Sequence, residues 1–146
     1  MSHLDLAVGA ELPPLERSFE LTDLVAYAGA TWDWHKLHYD RDYLATKGLP
    51  APVVDGQVFG ALLAAQIQDF FGPNAVLLSL HFRFKNLVFA GQSVRCRSRI
   101  VAVEFDGDAD LDVVTLECTV EILDASSDAP PSLAVAPAGA TILVRR

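Results

Sequence analysis

The sequence predicts an α+β domain in which a curved antiparallel β-sheet is wrapped around one long buried central helix. Three observations carry that expectation. After Gly56, the residues Val58, Phe59, Leu62, Leu63, Ile67, Phe70 and Phe71 make a stretch that is apolar almost all the way round, as in helices with no solvent face. Beyond it, residues 75–85, 93–104 and 111–123 alternate apolar and polar with period two and are rich in Val, Ile and Thr, the pattern of half-buried strands. A chain of 146 residues has room for one core. One helix followed by several strands fills a single domain, residues 1–146, if the sheet closes over the helix.

The elements follow in order. Residues 7–16 form an irregular entry ending near Pro13-Pro14, and residues 17–21 a short edge strand. Thr22 is a good helix N-cap and Asp23 suits a first turn, so a helix is expected over 23–31 with Leu24, Tyr27, Ala28 and Thr31 on one face. Residues 32–39 form a loop. Asp40 caps a second short helix that stops at Gly48, and Leu49-Pro-Ala-Pro52 is held extended by its prolines. The long helix runs from Gly56 to Gly72-Pro73, its apolar surface broken by Gln57, Gln66, Gln68 and Asp69. In the first long strand Leu78, Leu80, Phe82 and Phe84 share a face. Residues 106–110 make a turn, 125–137 a loop, and 139–144 a shorter last strand.

Composition removes several classes of function. A formal charge of −8 argues against a nucleic-acid partner, because phosphate binding calls for a basic footprint. No apolar window is long enough to span a membrane, and the N-terminus lacks the basic and apolar regions of a signal peptide. Cys96 and Cys118 lie in alternating strands and read as buried free thiols, in keeping with a reducing cytoplasm. With 51% hydrophobic residues and a mean hydropathy of +0.28, the chain has apolar surface to spare, which points to a subunit interface.

The chemistry concentrates in Tyr27-Ala-Gly-Ala-Thr-Trp-Asp-Trp-His-Lys-Leu-His-Tyr-Asp40, followed by Pro50-Ala-Pro-Val-Val-Asp-Gly-Gln57. A carboxylate and imidazoles on a loop, ahead of a helix that starts at glycine, supply acid–base groups and free N–H donors. The pattern Tyr27…Asp33…His38-x-Asp40, then a short helix, a Pro-rich turn and Gly56, resembles the MaoC-like hydratase/dehydratase family. The Val8-Gly…Leu12-Pro13 entry and Phe89-Ala-Gly-Gln-Ser-Val94 extend the likeness over most of the chain. The resemblance implies a hotdog fold and the chemistry of (R)-specific enoyl-CoA hydratases. Asp33 and His38 would hold the water that adds to a 2-enoyl thioester or leaves an (R)-3-hydroxyacyl thioester, and the Gly56 N–H would meet the thioester oxygen. It further implies no metal or redox cofactor, an acyl-CoA or acyl carrier protein thioester as substrate, and a homodimer or a heterodimer with a second hotdog subunit.

Trp32, Trp34, His35, Asp55 and Gln57 are the candidates for lining the substrate site. The sequence departs from the family's small-Gly-Asp-x-Asn-Pro-x-His motif: Trp32 replaces glycine, His35 asparagine and Lys36 proline, and Asp55 precedes Gly56 where many members have histidine. Asp55 also reads as a helix cap and His81 as structural. Arg95, Arg97 and Arg99 project from one face of a strand, either as a solvated face or, with Arg83 and Lys85, as a dock for phosphates or an acidic carrier protein. A thioesterase and a non-catalytic acyl-CoA-binding or partner subunit fit the same fold as alternatives.

Overall fold

In the computed structural model, residues 6–106, 110–123 and 130–145 are described. Five antiparallel strands, β1 (Leu15–Ser18), β2 (Ala75–Phe84), β3 (Ser93–Asp106), β4 (Leu111–Leu123) and β5 (Ser132–Arg145), form one sheet in the order β1-β3-β4-β5-β2. The helices are α1 (Leu21–Thr31), α2 (Arg41–Thr46) and α3 (Gln57–Phe71). The long helix lies in the hollow of the sheet as expected. Leu63 and Ile67 on α3 are fully buried against Val94, Ile100, Val114, Leu116 and Ile142 of the strands. Each such side chain contributes about 1.5–3 kcal/mol by leaving water.

Gln66, which reads in the sequence as a break in the apolar surface, is 4% exposed. Its amide donates to the carbonyls of Pro13 (2.8 Å) and Cys96 (3.1 Å), and its Oε1 accepts from the Ser98 hydroxyl at 2.8 Å. A buried amide is tolerated only with such partners. Here they fasten α3 to β3 and to the entry segment, fixing how the helix is rotated.

Several boundaries differ from the expectation. The edge strand is Leu15–Ser18 rather than 17–21, because Phe19 turns into the core and Glu20 starts α1. Glu20 and Asp23 cap each other's backbone N–H groups in a reciprocal box, displacing Thr22 as the cap. Residues 36–38 of the expected loop form a 3-10 turn. Gly48 has φ +66 just past α2, the left-handed stop expected there.

In β2, register shifts at Leu77/Ser79 and Phe82/Phe84 break the expected shared face. Leu78 and Phe84 are exposed whereas Leu80 and Phe82 pack against the core, since a bulge turns successive side chains over. The last strand begins at Ser132 instead of residue 139 and pairs with both β4 and β2. Pro137 hid its first half, because proline lacks the N–H that a ladder needs. The β4–β5 register shifts at Cys118/Val120 and Val120/Glu121, opposite this stretch. The expected turn at 106–110 and loop at 125–137 fall partly outside the described residues.

Cys96 and Cys118 are buried and free. Burial, with a smaller contribution from Cys118, pushes the Cys96 thiol up from 9.0 to about 12, and burial raises Cys118 as well. Both thiols stay protonated in the folded chain, so a thiol reagent at pH 8 modifies the native protein slowly and both cysteines at once on denaturation. Above pH 9 the unfolded chain releases thiol protons that the folded chain keeps. Stability therefore falls as pH rises from 9.0 toward about 12, by about 1.4 kcal/mol per pH unit for each fully shifted thiol. Denaturant titrations across that range check the sign.

Candidate active site

Three pieces of backbone assemble the site. The first is the end of α1, where Trp32 adopts a left-handed conformation with φ 60 and ends the helix. Glycine adopts this conformation without cost, and a tryptophan there carries about 1 kcal/mol of strain. Next, Asp33 Oδ1 accepts the His35 N–H at 3.1 Å and His35 Nδ1 accepts the Leu37 N–H at 3.2 Å, turning the chain into the 3-10 helix that carries His38. The third is the segment 52–54, tied to 88–90 by Val54 N–H to Val88 O (2.8 Å) and Ala90 N–H to Pro52 O (2.8 Å).

That segment also orients the imidazole. His38 Nδ1 lies 2.6 Å from the Val53 carbonyl oxygen. A carbonyl only accepts, so the proton of this contact belongs to Nδ1. In the neutral ring Nε2 is then the free acceptor, the atom a general base needs. Atoms of Asp33, His38 and Asp55 capable of binding a proton or ligand all lie within 4.8 Å of one another, with Asp33 exposed and the other two half-buried. The fold thus brings together residues that are 22 positions apart at most.

Asp55 has two roles in the geometry. Its Oδ1 accepts the Gln57 N–H at 2.9 Å from one position before the N-cap of α3, which is Gly56 and not the expected Asp55. The Gly56 N–H, one residue earlier, makes no hydrogen bond to another described residue. It is the donor left over at the positive end of a 15-residue helix. The Phe84 ring covers Gly56 so closely that an added Cβ would lie 2.5 Å from it. A side chain at 56 would therefore displace the exposed Phe84 ring, and no special φ is involved.

A cleft of about 220 Å³ opens beside this group. Its floor is apolar, from Phe19, Leu24, Ala28, Val54, Val58 and Leu62, and His38 and Asp55 lie on its wall. Tyr27 joins them. Burial first, and the Asp55 charge second, raise its phenol above 10.0, so it stays protonated and able to donate. Arg17, Ser18 and Asp23 complete the lining. Leu24, Tyr27 and Ala28, expected on one helical face, all line the cleft. The residues of β1 carried no local signal of a site.

Of the eight sequence candidates only His38 and Asp55 line this cleft; Asp33 and Gly56 adjoin them without lining it, and the other four lie apart. Trp32 is 80% exposed, and Trp34 packs edge-on against Trp32 and Tyr39 with the edge of its ring over Gly29. His35 packs between His38 and Tyr43, and Gln57 contributes its backbone N–H at an exposed position. Arg95, Arg97 and Arg99 do share a face, but each meets carboxylates: Arg95 with Glu16 (2.7 Å), Arg97 with Glu121 (3.0 Å), Arg99 with Glu117 (2.9 Å). That ladder satisfies the charges a phosphate dock would use. No helix among the described residues is long and apolar enough to cross a membrane.

Comparison with known proteins agrees with this arrangement. The (R)-specific enoyl-CoA hydratase of Aeromonas caviae is 28% identical over 107 residues, 73% of this chain and 79% of that protein. The 3-oxo-4,17-pregnadiene-20-carboxyl-CoA hydratase beta subunit of Mycobacterium tuberculosis is 29% identical over 68% of this chain and 83% of its own. The crystallised (R)-hydratase of A. caviae superposes with a TM-score of 0.77 at 25% identity, covering 96% of this chain and 98% of that one, and the curled sheet around a helix is the hotdog fold. The family model for the MaoC-like domain matches residues 7–121, and with sheet, helix and motif in agreement the chain belongs to the MaoC-like hydratase/dehydratase family.

Proposed function

We propose that this chain adds water across the double bond of 2-enoyl-CoA thioesters to give (R)-3-hydroxyacyl-CoA, or runs the reverse dehydration. The observation that carries the proposal is the convergence of Asp33, His38 and Asp55 within 4.8 Å beside the start of α3, with His38 and Asp55 lining an apolar cleft and Asp33 next to them at the surface. Hydration needs a base to take a proton from water as its oxygen bonds to the β-carbon, and an acid to deliver a proton to the α-carbon. One water held between the Asp33 carboxylate and His38 Nε2 meets both needs. Negative charge that develops on the thioester oxygen is met by the Gly56 N–H and the α3 dipole. The reaction moves one proton and one hydroxide equivalent and needs no redox partner. Asp55 holds the Gln57 N–H and lies beside His38 at the start of α3.

The functional unit we propose is a dimer through the β2 edge. Among the described residues that strand pairs only with β5, and it exposes Val76 (57%) and Leu78 (55%). An apolar open edge is a surface that a second sheet covers. Either a second copy of this chain or a related hotdog subunit fits, and the mycobacterial relative is itself named as a beta subunit.

The test is loss of enoyl-thioester absorbance with crotonyl-CoA and longer enoyl-CoAs, with chiral analysis of the product and a parallel run in chelator. We expect an (R)-3-hydroxyacyl product at a rate indifferent to chelator. Release of free CoA instead would establish a thioesterase. Absence of any turnover by folded protein, alone and with a hotdog partner, would sink the hydratase reading.

A further inference from the structure

Arg17 is an exposed residue of the edge strand β1 that also lines the cleft. Along β1, Glu16 lies on the outer face, where it pairs with Arg95 at 2.7 Å, so alternation turns Arg17 to the inner face beside Leu15 and Phe19. There it lines the cleft, and it makes no ion pair or side-chain hydrogen bond to any described residue, whereas all three arginines of β3 have carboxylate partners. A guanidinium at the rim of an apolar cleft, without a partner from its own chain, has five donors to offer a ligand.

Position along the cleft says which part of the ligand. His38, Asp55 and Tyr27 mark the reacting end. β1 leads directly into the first turn of α1, whose Asp23 and Leu24 also line the cleft and lie roughly one helical turn or 6 Å along α1 from Tyr27 and Ala28. Leu24, Val58 and Leu62 are apolar lining of the same cleft. Asp23 also lies in the lining, its Oδ2 turned to the Glu20 N–H at 2.8 Å and its charge retained. At the reacting end Asp33 and Asp55 would repel an anion.

Resting on the hydratase reading, we infer that Arg17 is a specificity-determining residue that receives a carboxylate at the far end of the acyl group, so that the preferred substrates are short enoyl thioesters of dicarboxylic acids. Acidic groups at one end and a lone guanidinium at the other orient such an acyl chain in a single direction. The pantetheine arm keeps CoA phosphates well away from the reacting atoms.

The experiment compares 2-hexenedioyl with 2-hexenoyl thioesters, each on CoA and on N-acetylcysteamine, which has no phosphate. The chain and its Arg17→Gln variant are assayed side by side. We expect kcat/KM to favour the carboxyl-ended acyl group by about tenfold or more, on both carriers, and Arg17→Gln to erase that preference. Calorimetric binding of the saturated adipyl and hexanoyl thioesters reads the same discrimination without turnover. If binding discriminates through Arg17 but neither enoyl thioester is hydrated, the hydratase reading fails and the Arg17 assignment stands. Hydration without discrimination overturns the Arg17 assignment alone. So does an Arg17→Gln effect seen only with CoA, which would make Arg17 a phosphate contact.

Discussion

Replacing His38 with alanine lowers kcat/KM for crotonyl-CoA by about 10³-fold, within the range that a positioned acid–base group supplies. The variant removes the Nε2 acceptor and the 2.6 Å contact from Nδ1 to the Val53 carbonyl. The second loss costs stability of about 1 kcal/mol and leaves the fold intact. Asp33→Asn is the cleaner partner. Asp33 is exposed, and an asparagine oxygen still accepts the His35 N–H, so the turn into the 3-10 helix survives while the charge is lost. We expect a loss of about 10²–10³-fold. In the proposed mechanism both groups act on one water, so the double variant is expected to be no slower than the worse single one. Stopped-flow or steady-state hydration with matched circular dichroism checks all three. Activity within tenfold of wild type in either single variant would show that the water is held elsewhere.

Why the site was legible follows from its locality. Asp33, His38 and Asp55 lie within one stretch whose turns are made by its own side chains: Asp33 and His35 close the turn and Asp55 accepts the Gln57 N–H. Such local hydrogen bonds leave a trace in residue type and spacing. The substitution of Trp32 for the family's glycine also has a local reading, since the position has φ 60. What could not be read depends on partners far along the chain. Arg17 faces the cleft only because Leu15–Ser18 pairs with β3 in one register, and a slip of one residue would send it to the outer face. The arginines of β3 were correctly placed on one face, but whether they are free depends on Glu16 and Glu117 and Glu121 across two different strand pairings. Gln66 is the same case within the core. As a polar residue on an apolar helix it reads as exposed, and only the carbonyls of Pro13 and Cys96 explain its burial.

The coupling between fold and site is sharpest where α3 crosses β2. Gly56 and Gly60, one turn apart, lie under the rings of Phe84 and Phe82, and a Cβ built on Gly60 would be 2.6 Å from the Phe82 ring. The two contacts differ in how they can relax. Phe84 is 54% exposed and can swing into solvent, whereas Phe82 packs against the core and Gly60 is buried. Gly60→Val is therefore expected to cost about 3 kcal/mol, since overpacking outweighs the few tenths gained in helix propensity. For a chain of this length that corresponds to a Tm lower by roughly 10 °C. Activity should fall further than stability alone accounts for, because pushing α3 away from β2 moves the Gly56 N–H from the reacting oxygen. Phe82→Ala in the same chain removes the colliding ring at the price of a cavity, so the pair is expected to be less destabilised than the sum of its singles by more than about 1 kcal/mol. Strict additivity in that cycle would mean that the helix and the strand do not bear on each other at this point, and the catalytic donor would then be positioned by the Pro52–Val54 segment alone.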